Sequence, residues 1–485
     1  MVPWPDPVLR DGDAMTKYLV LLPEALVVAG AVVVLLLARF GPSRYRRWRR
    51  ALPAVAALIL LAALAVELRV GADVGSYFGG GLLVDRFGLF VKAAVLLAAA
   101  VGIAVADWGA EDSMSIGLAM PMLAVFGVMV VASGGDFLSV WAGLELAGGA
   151  GVVMLATRRP DSALRLLLLG AAASALMLIG LAYVYATAGS ADLGAAHAAL
   201  LGVAPTLPLA VPVLVLLGAL IYRASLAPLQ LGAGHGLAAP SPMSIGLVAG
   251  LGAAAAVVAA VKVSVAVGAV SVAFSPYVEI VAAVAMAGGG AGALAARSPR
   301  TRIAFLVAGQ TGWVIAGLAT QFRGGIGATI FLLGALVVAA TAAPAAAGAA
   351  GISELAVSGL GTLRPARAAA LTLAMLSLAG APPLAGFFGE FTIGAALART
   401  GHLELLAVGL LGSLLSLVAA IGTVRVLYLQ NPPDEGRRGL VALPVWTRFS
   451  AFGAIALCVV IAGYGLFANP ISSLADQGAA ALGLR

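Results

Sequence analysis

The chain has 485 residues, of which 62% are hydrophobic and 10% are charged. A soluble protein carries about 25% charged residues, so the composition excludes a soluble globular enzyme. The net charge of +7 comes largely from arginines between apolar runs, which is typical of membrane topology rather than of a nucleic-acid partner.

In chain order, apolar runs of about 20 residues predict an all-α polytopic membrane protein with about 14 transmembrane helices. We expect one membrane domain over 1–485, with N-terminal helices in 18–106, a first repeat in 115–263, a second in 267–429 and a last helix in 447–468. The predicted helices are 18–39, 51–69, 87–106, 115–133, 137–157, 163–187, 208–231, 241–263, 267–296, 302–320, 325–349, 367–397, 403–429 and 447–468.

Basic loops follow alternate predicted helices, as the positive-inside rule requires of cytoplasmic loops. This pattern predicts that both termini face outward. The loops are residues 39–50, 158–165, 297–302, 364–367 and 435–438.

Two predicted helices contain internal prolines. Pro228 lies in LIYRASLAPLQLGAG (220–234), and Pro382 and Pro383 lie in LSLAGAPPLAGFFGEF (376–391). Proline removes a backbone donor, and in lipid the freed groups need partners from protein or water. Two broken helices five spans apart indicate two inverted five-helix repeats with a transport path between them.

Three ionisable residues lie deep in predicted helices, where charge is rare and usually functional. Glu145 is surrounded by small residues, and Arg223 is its natural cation, although a static ion pair that only orients two helices is the alternative. Glu390 lies beyond the double-proline break and is a candidate proton carrier. The alternative for Glu390 is a surface carboxylate near Arg399.

Other ionisable groups lie nearer the helix ends or in loops. Lys92 and Lys262 are expected to anchor helix ends by extending toward the surface. His197 and His402 are expected to be solvated in outer loops. His235, in GAGHGLAAP, either passes protons inward from water or is an ordinary loop residue.

Several segments resemble subunit N, one of the antiporter-like membrane subunits of proton-pumping NADH–quinone oxidoreductase, respiratory complex I. The similarity covers nearly the whole chain in the same order. The segments are LLPEALVV (21–28), DRFGLFVKAAVLL (85–97), ASGGDFLSVWAGLELAG (132–148), IYRASLAPLQ (221–230), APSPMS (239–244), GQTGWVIAGL (309–318) and LSLAGAPPLAGFFGEF (376–391).

This resemblance implies fourteen helices in two inverted repeats, a proton path along the midplane and assembly with other membrane subunits in the bacterial plasma (inner) membrane. It also implies coupling to quinone reduction elsewhere in the complex. No cofactor is expected in this chain, because partner subunits would bind the quinone and NADH or another donor. A single cysteine, Cys458, agrees with that expectation.

At single residues the resemblance is partial. Glu145 matches the family's fifth-helix glutamate, and Arg223 replaces its partner lysine. Gln310 stands where subunit N often has histidine, and Glu390 stands where it usually has lysine, as in the sister subunit M. We expect the proton path to include Glu145, Arg223, Gln310, Glu390 and His235.

The eighth predicted helix also departs from the family. Gly252 or Ala253 occupies the place of a central lysine, and the next lysine is Lys262. Arginine practically cannot release its proton, so Arg223 is a poor relay member. Protons would then cross the centre through a water chain.

Two alternatives remain open at this stage. The chain could belong to a multi-subunit cation/proton antiporter or a membrane-bound hydrogenase, which share the fold. It could also be a structural subunit of the same complex that does not pump. In each case the partners are other membrane subunits and the lipid bilayer.

Overall fold

The computed structural model describes residues 18–40, 46–71, 74–106, 114–157, 160–201, 203, 206–223, 251–267, 275–320, 323–347, 357–431 and 447–482. Within these ranges the chain is almost entirely helical, which confirms the predicted all-α membrane fold.

The helices of eight residues or more are labelled in chain order. In the N-terminal part and first half they are α1 (Leu22–Phe40), α2 (Arg46–Val70), α3 (Arg86–Val105), α4 (Met114–Ser133), α5 (Phe137–Ala156), α6 (Pro160–Ala188), α7 (Leu193–Leu200), α8 (Leu207–Arg223) and α9 (Gly252–Ala266). In the second half they are α10 (Ser275–Ala295), α11 (Pro299–Ala319), α12 (Arg323–Ala347), α13 (Pro365–Leu378), α14 (Ala385–Thr400), α15 (Leu403–Leu429), α16 (Thr447–Leu466) and α17 (Ala468–Ala481).

Ten helices in the described ranges are long and apolar enough to cross a membrane. Three shorter apolar helices, α8, α9 and α13, overlap predicted spans. The described helices agree with the predicted limits to within a few residues where both ends are described, and α15 matches its limits of 403–429. The count of fourteen and the inverted repeats stay predictions.

The break at the double proline is confirmed. Helix α13 ends at Leu378, α14 begins at Ala385, and the residues between them form turns. Gly380, inside the break, has a φ of +69°, a left-handed conformation that glycine adopts without steric penalty. Pro228 lies outside the described residues, as does the rest of the chain between Arg223 and residue 251.

Three of the described helices, α9, α11 and α12, are almost wholly buried. Every residue in the membrane-crossing window of α12 is buried, and this helix packs against α3, α11, α13, α14 and α17. Helix α9 is alanine-rich and almost wholly buried; it contacts α4, α5 and α8 in the first half and α11 and α12 in the second. Because alanine side chains are small, backbones approach α9 closely, and this helix forms the junction between the halves.

A small cap at one end of the bundle was not predicted. An antiparallel hairpin pairs Gly75–Tyr77 with Leu82–Val84, and Leu82 also bridges to Gly134 between α4 and α5.

At the C-terminus the chain bends by 75° between α16 and α17. The hairpin strands and α17 are too short to give a hydropathy signal in the sequence.

Buried arginines hold helix ends at the opposite end of the bundle. Arg302 donates from Nη2 to Ala296 O at 2.8 Å and from Nη1 to Thr423 Oγ1 at 2.6 Å. Arg367 donates to Val105 O, at the last residue of α3, at 3.0 Å. The last carbonyls of a helix have no partner within the helix, so these cations satisfy them and complement the helix dipole.

Candidate functional site

Glu145 and Arg223 form the predicted ion pair between α5 and α8. Arg223 Nη2 lies 2.6 Å from Glu145 Oε1, and Nη1 donates to Leu144 O at 3.3 Å. The Arg223 side chain is 10% exposed, whereas that of Glu145 is 36% exposed at the surface of the chain. The guanidinium lies alongside Gly148, about one turn after Glu145.

A serine and a tryptophan complete the Glu145 site. Ser174 Oγ on α6 donates to Glu145 Oε1 at 2.6 Å, and Trp141 Nε1 donates to Ser174 Oγ at 2.7 Å. An indole N–H can only donate, so the serine oxygen accepts from it and directs its own proton at the carboxylate. Trp141 precedes Glu145 by four residues, which places both side chains on one face of α5.

Glu390, on α14, is buried with 8% of its surface exposed. Ser413 Oγ on α15 donates to Glu390 Oε2 at 2.6 Å. The Gln310 amide, oriented by the two acceptors that face it, donates to Glu390 Oε1 at 2.8 Å and to Leu378 O at 3.0 Å. No cation pairs with Glu390 in the part of the chain that the structure describes, and the alternative of a surface carboxylate beside Arg399 is wrong.

Trp313 repeats at Glu390 the arrangement seen at Glu145. Its Nε1 donates to Ser413 Oγ at 2.8 Å, and Ser413 in turn donates to Glu390. Each half therefore has an indole that donates to a serine and a serine that donates to a glutamate. The sequence signal for this arrangement was a tryptophan within an apolar helix, because a buried indole N–H needs an acceptor.

A narrow crevice lies in front of Glu390. It has about 180 Å³ of free space and no point wide enough for a water-sized sphere. Its lining includes polar groups from three helices and the thioether of α10; the residues are Met286, Gly309, Gln310, Trp313, Leu378, Glu390, Gly412, Ser413 and Ser416. In this conformation the carboxyl group of Glu390 therefore contacts protein side chains rather than a water-filled cavity.

The structure thus assembles two separate groups. Glu145 and Arg223 lie in the first half, Gln310 and Glu390 in the second, and helix α9 packs against elements of both. His235 lies outside the described residues. Among the residues described, no group of three or more His, Cys, Asp or Glu side chains could hold a metal ion.

Lys92 is not the surface anchor that the sequence indicated. It is 4% exposed, and its Nζ lies 2.6 Å from Glu24 Oε1 on α1 and 3.5 Å from Glu67 Oε1 on α2. Glu67 is itself buried in the last turn of α2. We call Glu24, Glu67 and Lys92 the N-terminal triad.

Lys262 is also fully buried rather than extended to the surface. Its Nζ donates to Gly134 O at 2.7 Å and lies 6.0 Å from the centre of the Phe87 ring. Desolvation raises the pKa of the nearby Asp85, which caps α3 outside the membrane-spanning segment, and the charge of Lys262 opposes that rise. The lysine of the eighth predicted helix, Lys262, thus lies near the C-terminal end of α9 rather than at the central position, 252–253, where the resemblance implied a lysine.

Two histidines differ from their expected solvated state. His197 Nδ1 lies 2.8 Å from the carbonyl oxygen of Val265, the penultimate residue of α9. His402 Nδ1 lies 3.3 Å from Glu279 Oε1, and both side chains are partly buried. The contacts of these histidines with helices α9 and α10 had no signal in the sequence.

A family profile and individual relatives place the chain in the same family. The sequence profile described as NADH:quinone oxidoreductase/Mrp antiporter, TM matches residues 134–416. NADH-quinone oxidoreductase subunit N from Granulibacter bethesdensis is 28% identical, over 95% of this chain and 98% of the relative. Subunit N 1 from Rhizobium meliloti is 27% identical, over 94% and 96%.

Solved structures share the fold. A chain of respiratory complex I from Thermus thermophilus with bound aureothin has a TM-score of 0.76 at 23% identity, covering 93% of this chain and 98% of that one. A chain of the Mrp complex from a Dietzia species has a TM-score of 0.80 at 20% identity, covering 97% and 98%. A chain of an archaeal membrane-bound sulfane sulfur reductase has a TM-score of 0.79 at 17% identity, covering 96% and 98%.

Proposed function

The chain belongs to the NADH:quinone oxidoreductase/Mrp antiporter transmembrane family, and from this membership we propose that it is a proton-translocating membrane subunit of a complex-I-like quinone oxidoreductase. In this proposal it corresponds to subunit N and assembles with the other membrane subunits in the bacterial plasma membrane. Quinone reduction occurs elsewhere in the complex and drives proton transport through this chain.

One observation carries the proposal. In each half, a glutamate within the bilayer accepts a hydrogen bond from a serine hydroxyl, and that serine accepts a hydrogen bond from a tryptophan. Buried carboxylates are costly in a membrane and mark proton relays there. Near-full-length relatives named NADH-quinone oxidoreductase subunit N support the same assignment.

The two glutamates have different roles in this mechanism. A guanidinium practically cannot release a proton, so Arg223 supplies a fixed positive charge in the first half, and the carboxyl group of Glu145 is the member of the pair that can exchange a proton. Glu390 has two neutral donors and no described cation beside it, so it takes up and releases a proton more readily than a paired carboxylate. Gln310 holds the carboxyl group in place but carries no proton itself.

Transfer between the halves needs water beside α9, because this helix offers no titratable side chain before Lys262. The crevice at Glu390 is too narrow for water, so transport requires a second, wetter conformation. Quinone reduction in the partner subunits would drive this change by favouring the wetter state.

The test is proton transport by membrane vesicles that carry the assembled complex, with Glu145→Gln and Glu390→Gln variants. Each variant should lose most of the proton transport per quinone reduced, because glutamine can neither bind nor release a proton. Glu404→Gln, an exposed glutamate at the start of α15, is the matched control and should behave like the wild type.

Unchanged coupling in both variants would instead assign the chain a structural role without pumping. The alternative that this chain is an antiporter subunit is consistent with its fold, which matches a chain of the Mrp complex with a TM-score of 0.80. Purification of this chain with its neighbours separates the two: quinone-oxidoreductase subunits support the proposal, and antiporter subunits contradict it.

The cofactor assignment is part of the proposal. We place the quinone, and NADH or another electron donor, in partner subunits and none in this chain. Its contribution to the enzyme is then translocation alone, within an NADH–quinone oxidoreductase.

A further inference from the structure

The N-terminal triad lies outside the proton path proposed above. Glu24 is in the first turn of α1, Glu67 in the last turn of α2 and Lys92 in the second turn of α3. These three helix ends meet at the hairpin end of the bundle. All three side chains are at least nine-tenths buried, with 8%, 4% and 4% of their surfaces exposed.

Lys92 contacts the two carboxyl groups unequally. The distance from its Nζ is 2.6 Å to Glu24 Oε1 and 3.5 Å to Glu67 Oε1. Glu24 Oε2 is buried and has no hydrogen-bond partner among the residues described. A buried acceptor without a donor is costly, so this atom points to a ligand that supplies one.

Charge counting gives the same result. Two carboxylates and one ammonium leave one net negative charge in a site without solvent. A buried uncompensated charge is unfavourable, and in practice the group binds a proton instead. Two neighbouring carboxyl groups then share that proton as one coupled site.

The surrounding charges leave this balance unchanged. Helix α4, which packs against α1, contains no charged residue. Lys262 and Asp85 lie close enough to act on each other and on Lys92, and their opposite charges offset each other. Among the described residues at this end, the other charged groups are the exposed Arg69 and Arg86, Asp136 and Asp192 beside the hairpin, and Asp476 on α17.

We propose that Glu24, Glu67 and Lys92 form a proton-binding site that holds one proton shared between the two carboxyl groups. It is distinct from the Glu145 and Glu390 sites and lies in the N-terminal helices rather than in either repeat. Its occupancy does not depend on whether the chain transports protons.

Infrared spectroscopy of the purified complex tests the proposal, because a protonated carboxyl group has a carbonyl band that a carboxylate lacks and that shifts in D2O. Because Glu390 and carboxyl groups of partner subunits can absorb in the same region, the band of the triad is read from difference spectra between the wild type and each variant. Glu67→Gln should remove this triad band, because Glu24 and Lys92 are then a balanced pair. Glu24→Gln should remove it too, because Glu67 then pairs with Lys92 as a carboxylate.

Lys92→Gln should increase the intensity of the carbonyl band of the triad rather than remove it. Without the ammonium both carboxyl groups are protonated, so the band should grow about twofold, following the charge count of the buried site. Glu404→Gln, at an exposed position, is the control and should leave the spectrum unchanged. Glu67→Gln retains the 2.6 Å pair, so it remains informative if the other variants do not assemble.

A band that is the same in the wild type, Glu24→Gln and Glu67→Gln would overturn the proposal, since the triad would then be fully ionised. A band that appears only when Na⁺ is withdrawn would also overturn it, because Na⁺ would occupy the site. Loss of proton transport in Glu390→Gln with an intact band would leave both this site and the proposed function standing. Unchanged transport with an intact band would contradict the proposed function alone.

Discussion

Gly380 lies directly against the carboxyl group of Glu390. A Cβ atom at position 380 would overlap the Oε2 and Cδ atoms of that side chain. The double proline ends α13, Gly380 turns the chain with a φ of +69°, and the turn leaves a space that the carboxyl group of α14 fills. The break therefore provides the place in which the buried acid lies.

Gly380→Ala should displace Glu390 from Ser413 and Gln310 and reduce proton transport by at least tenfold. The added methyl group overlaps the carboxyl group, and an alanine in the left-handed region also costs about 1–2 kcal/mol. Proton transport per quinone reduced is the measurement. Gly401→Ala is the matched control, because Gly401 has a φ of +86° and nothing within 4 Å of its absent side chain. Equal losses in the two variants would show that backbone strain, rather than the carboxyl group, is responsible.

Ser413→Ala should slow transport by roughly tenfold. The ionised Glu390 loses a buried donor worth about 1–3 kcal/mol, so proton release from it becomes harder. Steady-state transport in vesicles measures the change. Ser416→Ala removes a hydroxyl from the same crevice without removing a hydrogen bond to Glu390, and it should have little effect. A Ser416→Ala loss as large as that of Ser413→Ala would contradict the directed hydrogen bond.

Arg223→Gln should reduce both the amount of assembled complex and its proton transport, because Glu145 loses its cation. Arg223→Lys should retain transport, since lysine keeps the charge and can also release its proton. The double variant Glu145→Gln with Arg223→Gln should assemble better than Arg223→Gln alone, because no unpaired charge remains. Assembly is measured by the yield of intact complex, and a double variant no better than the single one would indicate that the pair does not interact.

Arg367→Met should lower thermal stability without changing the transport ratio of the complex that remains. It removes a charged donor to Val105 O at the end of α3, worth about 1.5–3 kcal/mol. Arg425→Met, at an exposed position near the end of α15, should leave the melting temperature within about a degree of the wild type. If Arg367→Met and Arg425→Met had the same melting temperature, Arg367 would not stabilise the end of α3.

The sequence alone was enough for the membrane class, most helix limits and the break at Pro382 and Pro383. Hydrophobic runs and prolines act locally, so their signals lie within about 20 residues. The pairing of Glu145 with Arg223 was also predicted, because few cations lie deep in the apolar runs. The partners of Glu390 were missed except for Gln310, which the family resemblance had marked.

Only the tertiary structure decided which polar groups meet. Ser413 is 23 residues from Glu390, Glu67 is 25 from Lys92, and Lys262 is 128 from Gly134. A serine, a lysine or a glycine carbonyl in an apolar helix has no sequence signal that names its partner. Such partners are set by which helices pack together, and so Lys92 and Lys262, expected at the surface, are buried beside acceptors that only the packed bundle brings to them.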